Sequence, residues 1–299
     1  MTPAKSLYFN DGYVMDRDVT LLASKFQQYE GSDISRLSFV RNISKIDNGV
    51  WSYVDFFEDA AVSVTGLRET RQAFFLGHNG KVLSVGHGKR NIETLPDCER
   101  YGYVLRIRAV GRDIYVCGMS GQVYRRHDEV WKHIDDGMLG TYGLDFEDID
   151  GTSENDLYAV GMGGAIRHFD GTEWRNLPSP TNVPLSNVRC PDNGEVYVCG
   201  NSGVVLRGNK DQWEYIGDPE ITRNFWGMEY FENKLYLAYA GGIMVHDGTG
   251  LTDVDMSGLG ELDFHRLHSG DGMLWSIGVD HLAYFDGATW RRTVCPENI

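Results

Sequence analysis

The sequence predicts an all-β fold, a seven-bladed β-propeller of four-stranded antiparallel blades, from three observations. A strand followed by a glycine turn recurs at intervals of 39 to 43 residues, with its anchor at Gly77, Gly118, Gly161, Gly200, Tyr239 and Gly278. A tryptophan follows the anchor 12 or 13 residues later in four units, at Trp131, Trp174, Trp213 and Trp290. The composition, with 36 glycines and 16 tyrosines against 8 prolines, is typical of many short strands joined by tight turns.

Each unit contains four short stretches of alternating polarity, which we label strands a to d. In the unit at 143–177 they are GLDFEDI, DLYAVG, AIRHF and EWRNL, separated by turn segments such as GMGG and FDGTE. Glycine supplies the positive φ that such hairpin turns require. A lone four-stranded sheet buries only one face, so we expect the blades to pack radially into a closed ring.

The spacing predicts one propeller domain over 1–299. We place its blades at 2–55, 56–97, 98–137, 138–180, 181–219, 220–258 and 259–299. The first blade rests on DNGVW, which ends at Trp51, 41 residues before Ile92 at the tryptophan position of the next unit. Because residues 1–33 lack a clean strand pattern, six blades with an N-terminal extension are the alternative. The pattern leaves open whether the stretch SLYFNDGYVM joins the last blade.

Charge and cysteine content limit the function classes. The 28 Lys and Arg residues against 43 Asp and Glu residues give a net charge of −15, which repels nucleic acid and attracts cationic partners, although acidity also serves solubility alone. The chain contains no signal-like or membrane-spanning apolar segment, so we expect a cytoplasmic protein without membrane contact. Five cysteines without a CxxC pair suggest neither disulfides nor zinc, and we expect no metal and no cofactor.

The glycine turn and the DGxxW turn together resemble the bacterial propellers built from WxVGxxGxIxHxDGxxW-type units, which carry degenerate Asp-box-like turns. YAVGMGGAIRHFDGTEW at 158–174 and WSIGVDHLAYFDGATW at 275–290 match this unit most closely. The Ser-x-Asp spacing of a true Asp box is missing, which weakens a link to sialidase-type hydrolases. The resemblance implies a fold and no common activity.

Propeller topology places the b-to-c turns and the d-to-a connections on one face, where binding sites usually lie. Irregular d-to-a segments make this face acidic and aromatic, which suits a basic protein partner. The candidate contact residues are Asp55, Glu58, Asp59, Asp135, Asp136, Tyr142, Arg223, Phe225 and Trp226. The alternative is that they are ordinary solvated loop residues.

The first strand of each blade is expected to line the central channel. The candidates on these strands are Arg106, Arg108, Glu147, Arg189, Glu229 and His265. They would either hold a polar ligand or neutralise one another, and we favour neutralisation because paired charges satisfy each other. Glu147, Asp148 and Asp150 suggest a paired-carboxylate or calcium site, but adjacent strand residues face opposite sides. We therefore predict no catalytic residues.

The function we favour is a non-enzymatic binding module, specifically an immunity protein that occludes a basic toxin or effector domain. This hypothesis rests on the negative charge, the wide propeller face and the absence of a convincing catalytic constellation. A propeller hydrolase or lyase acting on a sugar or another polar substrate is the first alternative. A carbohydrate-binding lectin is the second; it would require the recurrent tryptophans to be exposed, whereas their fixed position after a turn indicates packing between blades.

Overall fold

Twenty-eight β-strands form seven four-stranded antiparallel sheets in a computed structural model, which describes residues 7–27, 34–56 and 58–298. Blade one contains β1 to β4, at Leu7–Asp16, Val19–Phe26, Ser35–Arg41 and Val50–Phe56. Blade two contains β5 to β8, at Ala61–Leu67, Gln72–Gly77, Lys81–Gly86 and Lys89–Thr94. Blade three contains β9 to β12, at Val104–Val110, Asp113–Gly118, Val123–His127 and Val130–His133.

The remaining four blades follow the same order. Blade four contains β13 to β16, at Phe146–Ser153, Asp156–Gly161, Ile166–Phe169 and Trp174–Asn176. Blade five contains β17 to β20, at Leu185–Arg189, Val196–Gly200, Val205–Asn209 and Gln212–Tyr215. Blade six contains β21 to β24, at Gly227–Phe231, Lys234–Tyr239, Gly242–His246 and Leu251–Asp253. Blade seven contains β25 to β28, at Arg266–Gly270, Met273–Ile277, Leu282–Phe285 and Trp290–Thr293. The prediction of seven blades is confirmed.

The hydrophobic core is divided among the seven junctions between neighbouring blades. One cluster joins each pair of consecutive blades, and the seventh joins blade seven to blade one through residues such as Leu7, Phe9 and Trp275. Flat sheets that pack face to face bury both faces of every blade, which is why closing the ring stabilises the fold. The four repeat tryptophans are half-buried against these clusters, as predicted for packing residues.

Among the described residues, no strand is shared between blades seven and one, and the ring is closed there by core packing and by hydrogen bonds from both side chains and backbone. The stretch that includes β1 pairs with β2 inside blade one and does not join the last blade. The side-chain amide of Asn298 accepts a hydrogen bond from the Leu7 N–H at 2.7 Å and donates one to the Leu7 carbonyl at 3.0 Å. The Phe9 N–H donates to the Val279 carbonyl at 2.6 Å. Both ends of the described chain are therefore joined at the same junction.

The repeat glycine is required by close approach to the start of strand a. At Gly161 an added Cβ would lie 1.9 Å from the Asp145 carbonyl oxygen, and at Gly200 it would lie 2.3 Å from the Pro184 oxygen. In blade one the equivalent residue is Ser24, which pairs with Phe9 as Gly161 pairs with Phe146. This replacement explains why the glycine signal is missing from the first blade.

Among the described residues, no helix has the length and apolar character of a transmembrane segment.

Candidate protein-binding face and central channel

Strand a of each blade is the innermost, since these strands contact one another around the ring. The pairing of strand a with strand b lets the seven a strands be aligned residue by residue. In each blade, one residue of strand a pairs with the strand b residue directly before the repeat glycine position. We call this position the first polar tier: Asp11, Ser63, Arg106, Asp148, Asn187, Gly227 and Arg266. Two residues further along lies the second polar tier: Tyr13, Thr65, Arg108, Asp150, Arg189, Glu229 and His268.

The residue before the first polar tier forms the channel mouth on the d-to-a side. In blades one to five it is the extra residue of a β-bulge, which redirects its side chain. The channel mouth consists of Asn10, Val62, Leu105, Glu147, Ser186, Trp226 and His265. The bulge places Glu147 at the mouth while Asp148 and Asp150 lie in the two tiers, so these three carboxylates do not form one site.

Tier side chains satisfy the backbone of the next blade. Strand a is the inner edge of its sheet, so its inward N–H groups have no strand partner and would be costly to bury unpaired. In six cases a tier side chain accepts a hydrogen bond from the next blade around the ring. The donor is the backbone N–H of the residue that directly follows the same tier position in that blade. These bonds run from Val64 to Asp11, Ile107 to Ser63, Ala109 to Thr65, Val188 to Asp148, Cys190 to Asp150 and Val14 to His268.

Asp148 is the centre of an ion-pair network in the channel. Its carboxylate lies 3.4 Å from Arg106 Nε, 3.1 Å from Arg108 Nε and 2.9 Å from Arg189 Nη1. Burial alone would raise the pKa of this fully buried carboxyl group, but the three guanidiniums outweigh it and hold the pKa below its usual value. Asp148 is therefore ionised in the folded protein at neutral pH.

The network extends in both directions until it touches every blade. Arg106 pairs with Asp11 at 3.1 Å, and Asp11 accepts a hydrogen bond from the Ser63 hydroxyl at 2.6 Å. Arg189 pairs with Glu229 at 3.2 Å, and Glu229 accepts one from the Ser269 hydroxyl at 3.2 Å. Through these contacts the charged channel residues neutralise one another. Four of the six predicted channel candidates, Arg106, Arg108, Arg189 and Glu229, take part in this network.

The pKa of Asp150, two residues after Asp148, is shifted in the opposite direction. Burial raises the pKa of Asp150 to about 6, and the partial compensation by Arg189 and by the Cys190 N–H does not reverse it. Asp150, Arg189 and Glu229 line a cavity of about 540 Å³, together with Asp192 and Asn193 of the next a-to-b loop. This cavity opens on the face opposite to the d-to-a connections.

The two remaining channel candidates lie at the mouth. Glu147 is half-buried and has neither an ion pair nor a side-chain hydrogen bond among the described residues. His265 lies directly before β25, with its ring centroid 5.8 Å from that of Trp226. Burial and the adjacent charge of Arg266 lower the pKa of His265 to about 3, so its imidazole is neutral at physiological pH.

The d-to-a connections are strongly acidic. The described segments, 58–60, 95–103, 134–145, 177–184, 216–226 and 254–265, define the d-to-a face together with the described b-to-c turns. Their acidic residues are Glu58, Asp59, Asp97, Glu99, Asp135, Asp136, Asp145, Asp218, Glu220, Asp255, Glu261 and Asp263. Their basic residues are Arg100 and Arg223. Twelve carboxylates against two guanidiniums give this face a negative field.

Five of the nine predicted contact residues are exposed. Tyr142 is fully exposed, and Trp226 keeps 36 % of its surface exposed at the channel mouth. Glu58 and Asp136 are also exposed, as is Asp55, which lies on β4 and pairs with Arg36 at 2.6 Å. The other predicted residues lie on the connections that follow blades one, three and five, so a partner that touches them all must cover much of the ring.

Three predicted contact residues are buried, and the structure corrects their assignment. Asp59 is fully buried and accepts hydrogen bonds from the N–H groups of Ala60, Asn79 and Lys81, which ties the d-to-a segment to the b-to-c turn of blade two. Asp135 is 1 % exposed and accepts a bond from a strand N–H at 2.9 Å. The carboxylates of both residues are used inside the fold.

Phe225 is the third buried residue, because it occupies the apolar position that begins strand a. It is fully buried in the cluster between blades five and six. Arg223 is half-buried: it pairs with Asp253 at 2.6 Å and its guanidinium lies 4.3 Å from the centre of the Tyr239 ring. These contacts hold the segment that presents Trp226.

Asp263, Asp280 and His281 form a cluster whose ligand atoms lie within 4.8 Å of one another. Asp263 accepts a hydrogen bond from the Val279 N–H and lies 3.0 Å from His281 Nδ1. This arrangement closes the b-to-c turn of blade seven in the way that Asp59 closes that of blade two. A turn-stabilising role explains the cluster.

Asp11 is a functionally placed residue that the sequence analysis missed. It is 3 % exposed and contributes the blade-one carboxylate to the channel network. The signal was present, because Phe9-Asn10-Asp11 matches Phe146-Glu147-Asp148, and the two triplets have the same register against strand b.

Comparison with solved structures supports the fold alone. The WD40 β-propeller domain of Doa1 superposes with a TM-score of 0.72 at 13 % identity, covering 93 % of this chain and 92 % of that one. YCF48 bound to D1 peptide superposes with a TM-score of 0.71 at 16 % identity, covering 97 % and 94 %. No protein-family model matches the sequence.

One curated protein, the immune protein Tsi7 of Pseudomonas aeruginosa, is similar over nearly its whole length. The two sequences are 34 % identical over 295 residues, which cover 94 % of this chain and 95 % of Tsi7. This relationship confirms the prediction of an immunity protein. The chain belongs to the family of the immune protein Tsi7.

Proposed function

We propose that this immunity protein neutralises a basic toxin domain by covering its active site with the d-to-a face of the propeller. The observation that carries the proposal is the unequal charge of the d-to-a connections, where twelve carboxylates face two guanidiniums. Such a field attracts a cationic protein and accelerates its approach. A toxin that acts on an anionic polymer would itself be cationic, which makes it a suitable partner.

Trp226 is proposed as the anchor of this interface. It stands at the channel mouth on a backbone that is held rigidly: its N–H donates to the Ala238 carbonyl at 2.9 Å, and its own carbonyl accepts from Asn187 at 2.9 Å. An exposed aromatic side chain on a fixed backbone loses little entropy on binding, which is why such residues dominate interface energies. Tyr142, fully exposed on the connection between blades three and four, is the second proposed contact.

The proposal is tested by replacing Trp226 and Tyr142 with alanine, singly and together. We expect Trp226→Ala to weaken the affinity for the toxin domain about 30-fold or more, and the double variant to lose protection of toxin-expressing cells. Val130→Ala is the matched control, since Val130 is 52 % exposed but lies on the outer strand of blade three. Unchanged toxin affinity in the double variant would refute this face as the interface.

We further infer that the blades are of the bacterial WxVGxxGxIxHxDGxxW type. The two matching units at 158–174 and 275–290 support this assignment. The DGxxW turns that they contain connect strands c and d, away from the d-to-a face. They would therefore serve folding and leave toxin binding to the irregular connections.

A further inference from the structure

Arg266 differs from the other guanidiniums of the polar tiers. Arg106, Arg108 and Arg189 each form an ion pair with Asp148. Arg266 forms no ion pair with any carboxylate in the described ranges. Its one hydrogen bond joins Nη1 to the carbonyl oxygen of Trp226, while its Nε is buried and has no hydrogen-bond partner.

The charge of Arg266 is only partly compensated. Burial and the neighbouring charge of Arg106 lower the pKa of Arg266 to about 9, although the carboxylates of Asp11, Asp148 and Glu147 act against this shift, so the guanidinium remains cationic at neutral pH. The adjacent tier residue of blade six is Gly227, which contributes no side chain. A half-buried guanidinium without an ion pair among the described residues, and with a buried Nε–H that lacks an acceptor, is a site that an anion would complete.

The position of Arg266 indicates where that anion comes from. Arg266 lies one residue below the channel mouth, next to Trp226 and His265, at the centre of the acidic d-to-a face. The surrounding carboxylates repel small free anions and lower their local concentration. A carboxylate carried by a protein whose overall charge is positive can still approach, because the protein as a whole is attracted.

We propose that Arg266 binds a carboxylate side chain of the toxin, inserted into the channel mouth beside Trp226. This inference rests on the proposed function, because it requires the toxin to dock on the d-to-a face. A guanidinium and a carboxylate that meet in a site shielded from water form a strong, geometrically specific pair. Within an acidic face, this central cation would set the orientation of a basic partner and discriminate against basic proteins that lack the inserted acid.

The experiment compares Arg266→Gln with wild type in two measurements. The first is dissociation from the toxin domain, where loss of a shielded charge pair is expected to accelerate release about 30-fold or more. The second is thermal unfolding of the free protein, where we expect no loss of stability, because the substitution removes a half-buried charge that has no ion pair in the described ranges. Arg207→Gln is the control: Arg207 pairs with Glu214 at 2.7 Å on the outer strands, and its replacement should leave dissociation unchanged.

The outcomes separate this inference from the proposed function. If Trp226→Ala weakens binding while Arg266→Gln dissociates like wild type, the d-to-a face stands and the carboxylate site is refuted. If both variants bind like wild type, the proposed interface itself is wrong. If Arg266→Gln unfolds at a markedly lower temperature, Arg266 has a structural role and the site is overturned. Rescue of Arg266→Glu by an acid-to-arginine change in the toxin would identify the inserted carboxylate.

Discussion

Around the channel, carboxylates and guanidiniums lie in contact and are largely shielded from water, whereas on the d-to-a face most carboxylates are exposed and have few cations near them. Each polar tier holds two acidic and two arginine side chains, so the centre contributes almost nothing to the net charge of −15. Paired buried charges hold blades together, and unpaired exposed charges create a long-range field. The centre is thus expected to govern stability, and the face to govern toxin association.

The largest effect that would test this division is at Asp148. Asp148→Asn leaves three buried guanidiniums without their shared carboxylate, so we expect it to lower the free energy of unfolding by about 3–5 kcal/mol. Chemical denaturation measures this directly. Glu147→Gln is the matched control, one residue earlier and without an ion pair, and should change stability by less than about 0.5 kcal/mol. Equal effects of the two substitutions would contradict the central role of Asp148.

A smaller effect, of opposite sign, is expected from Asp150. Because burial raises its pKa to about 6 in the folded protein, the folded state takes up a proton before the unfolded state does as the pH falls. Ionised Asp150 therefore costs stability above about pH 6, and this cost disappears between about pH 6 and pH 4. Asp150→Asn should stabilise the protein by about 1–2 kcal/mol at pH 8 and by little at pH 4.

This difference is measured by denaturant unfolding of both proteins across that pH range. Asparagine keeps an acceptor for the Cys190 N–H, so the comparison isolates the charge. A stability difference that does not vary between pH 8 and pH 4 would show that Asp150 is not the titrating group.

The smallest effect on stability is expected from exposed acidic residues of the d-to-a face, whose replacement tests the role of this face in toxin association. Glu58→Lys combined with Asp136→Lys should slow toxin association about tenfold at low ionic strength while changing the free energy of unfolding by less than about 0.5 kcal/mol. Stopped-flow association at several salt concentrations provides the measurement, and the difference from wild type should shrink as salt screens the field.

The control for this variant changes the net charge equally on the opposite face. Glu154→Lys with Asp271→Lys alters two exposed a-to-b turn residues. If both double variants slow association to the same extent, the net charge of the protein steers the toxin and the d-to-a face has no special role.

The repeat and the packing role of the recurrent tryptophans could be predicted from the sequence alone, and so could seven blades, although residues 1–33 left six as an alternative. These properties arise from local contacts that every unit repeats, such as the glycine that lets strand a approach strand b. Blade one was harder to recognise because Ser24 takes the place of that glycine. Even there, the spacing from Trp51 was enough to predict the seventh unit.

Only the tertiary structure decided which charged residues are paired and which are free. In the sequence, Asp59 and Asp136 are both acidic loop residues and cannot be told apart. In the structure, Asp59 is buried and accepts hydrogen bonds from backbone N–H groups, whereas Asp136 is exposed. Asp148 and Asp11 meet the same arginine although they are far apart in the chain. The physical reason is that these contacts form between blades, and their geometry exists only once the ring has closed.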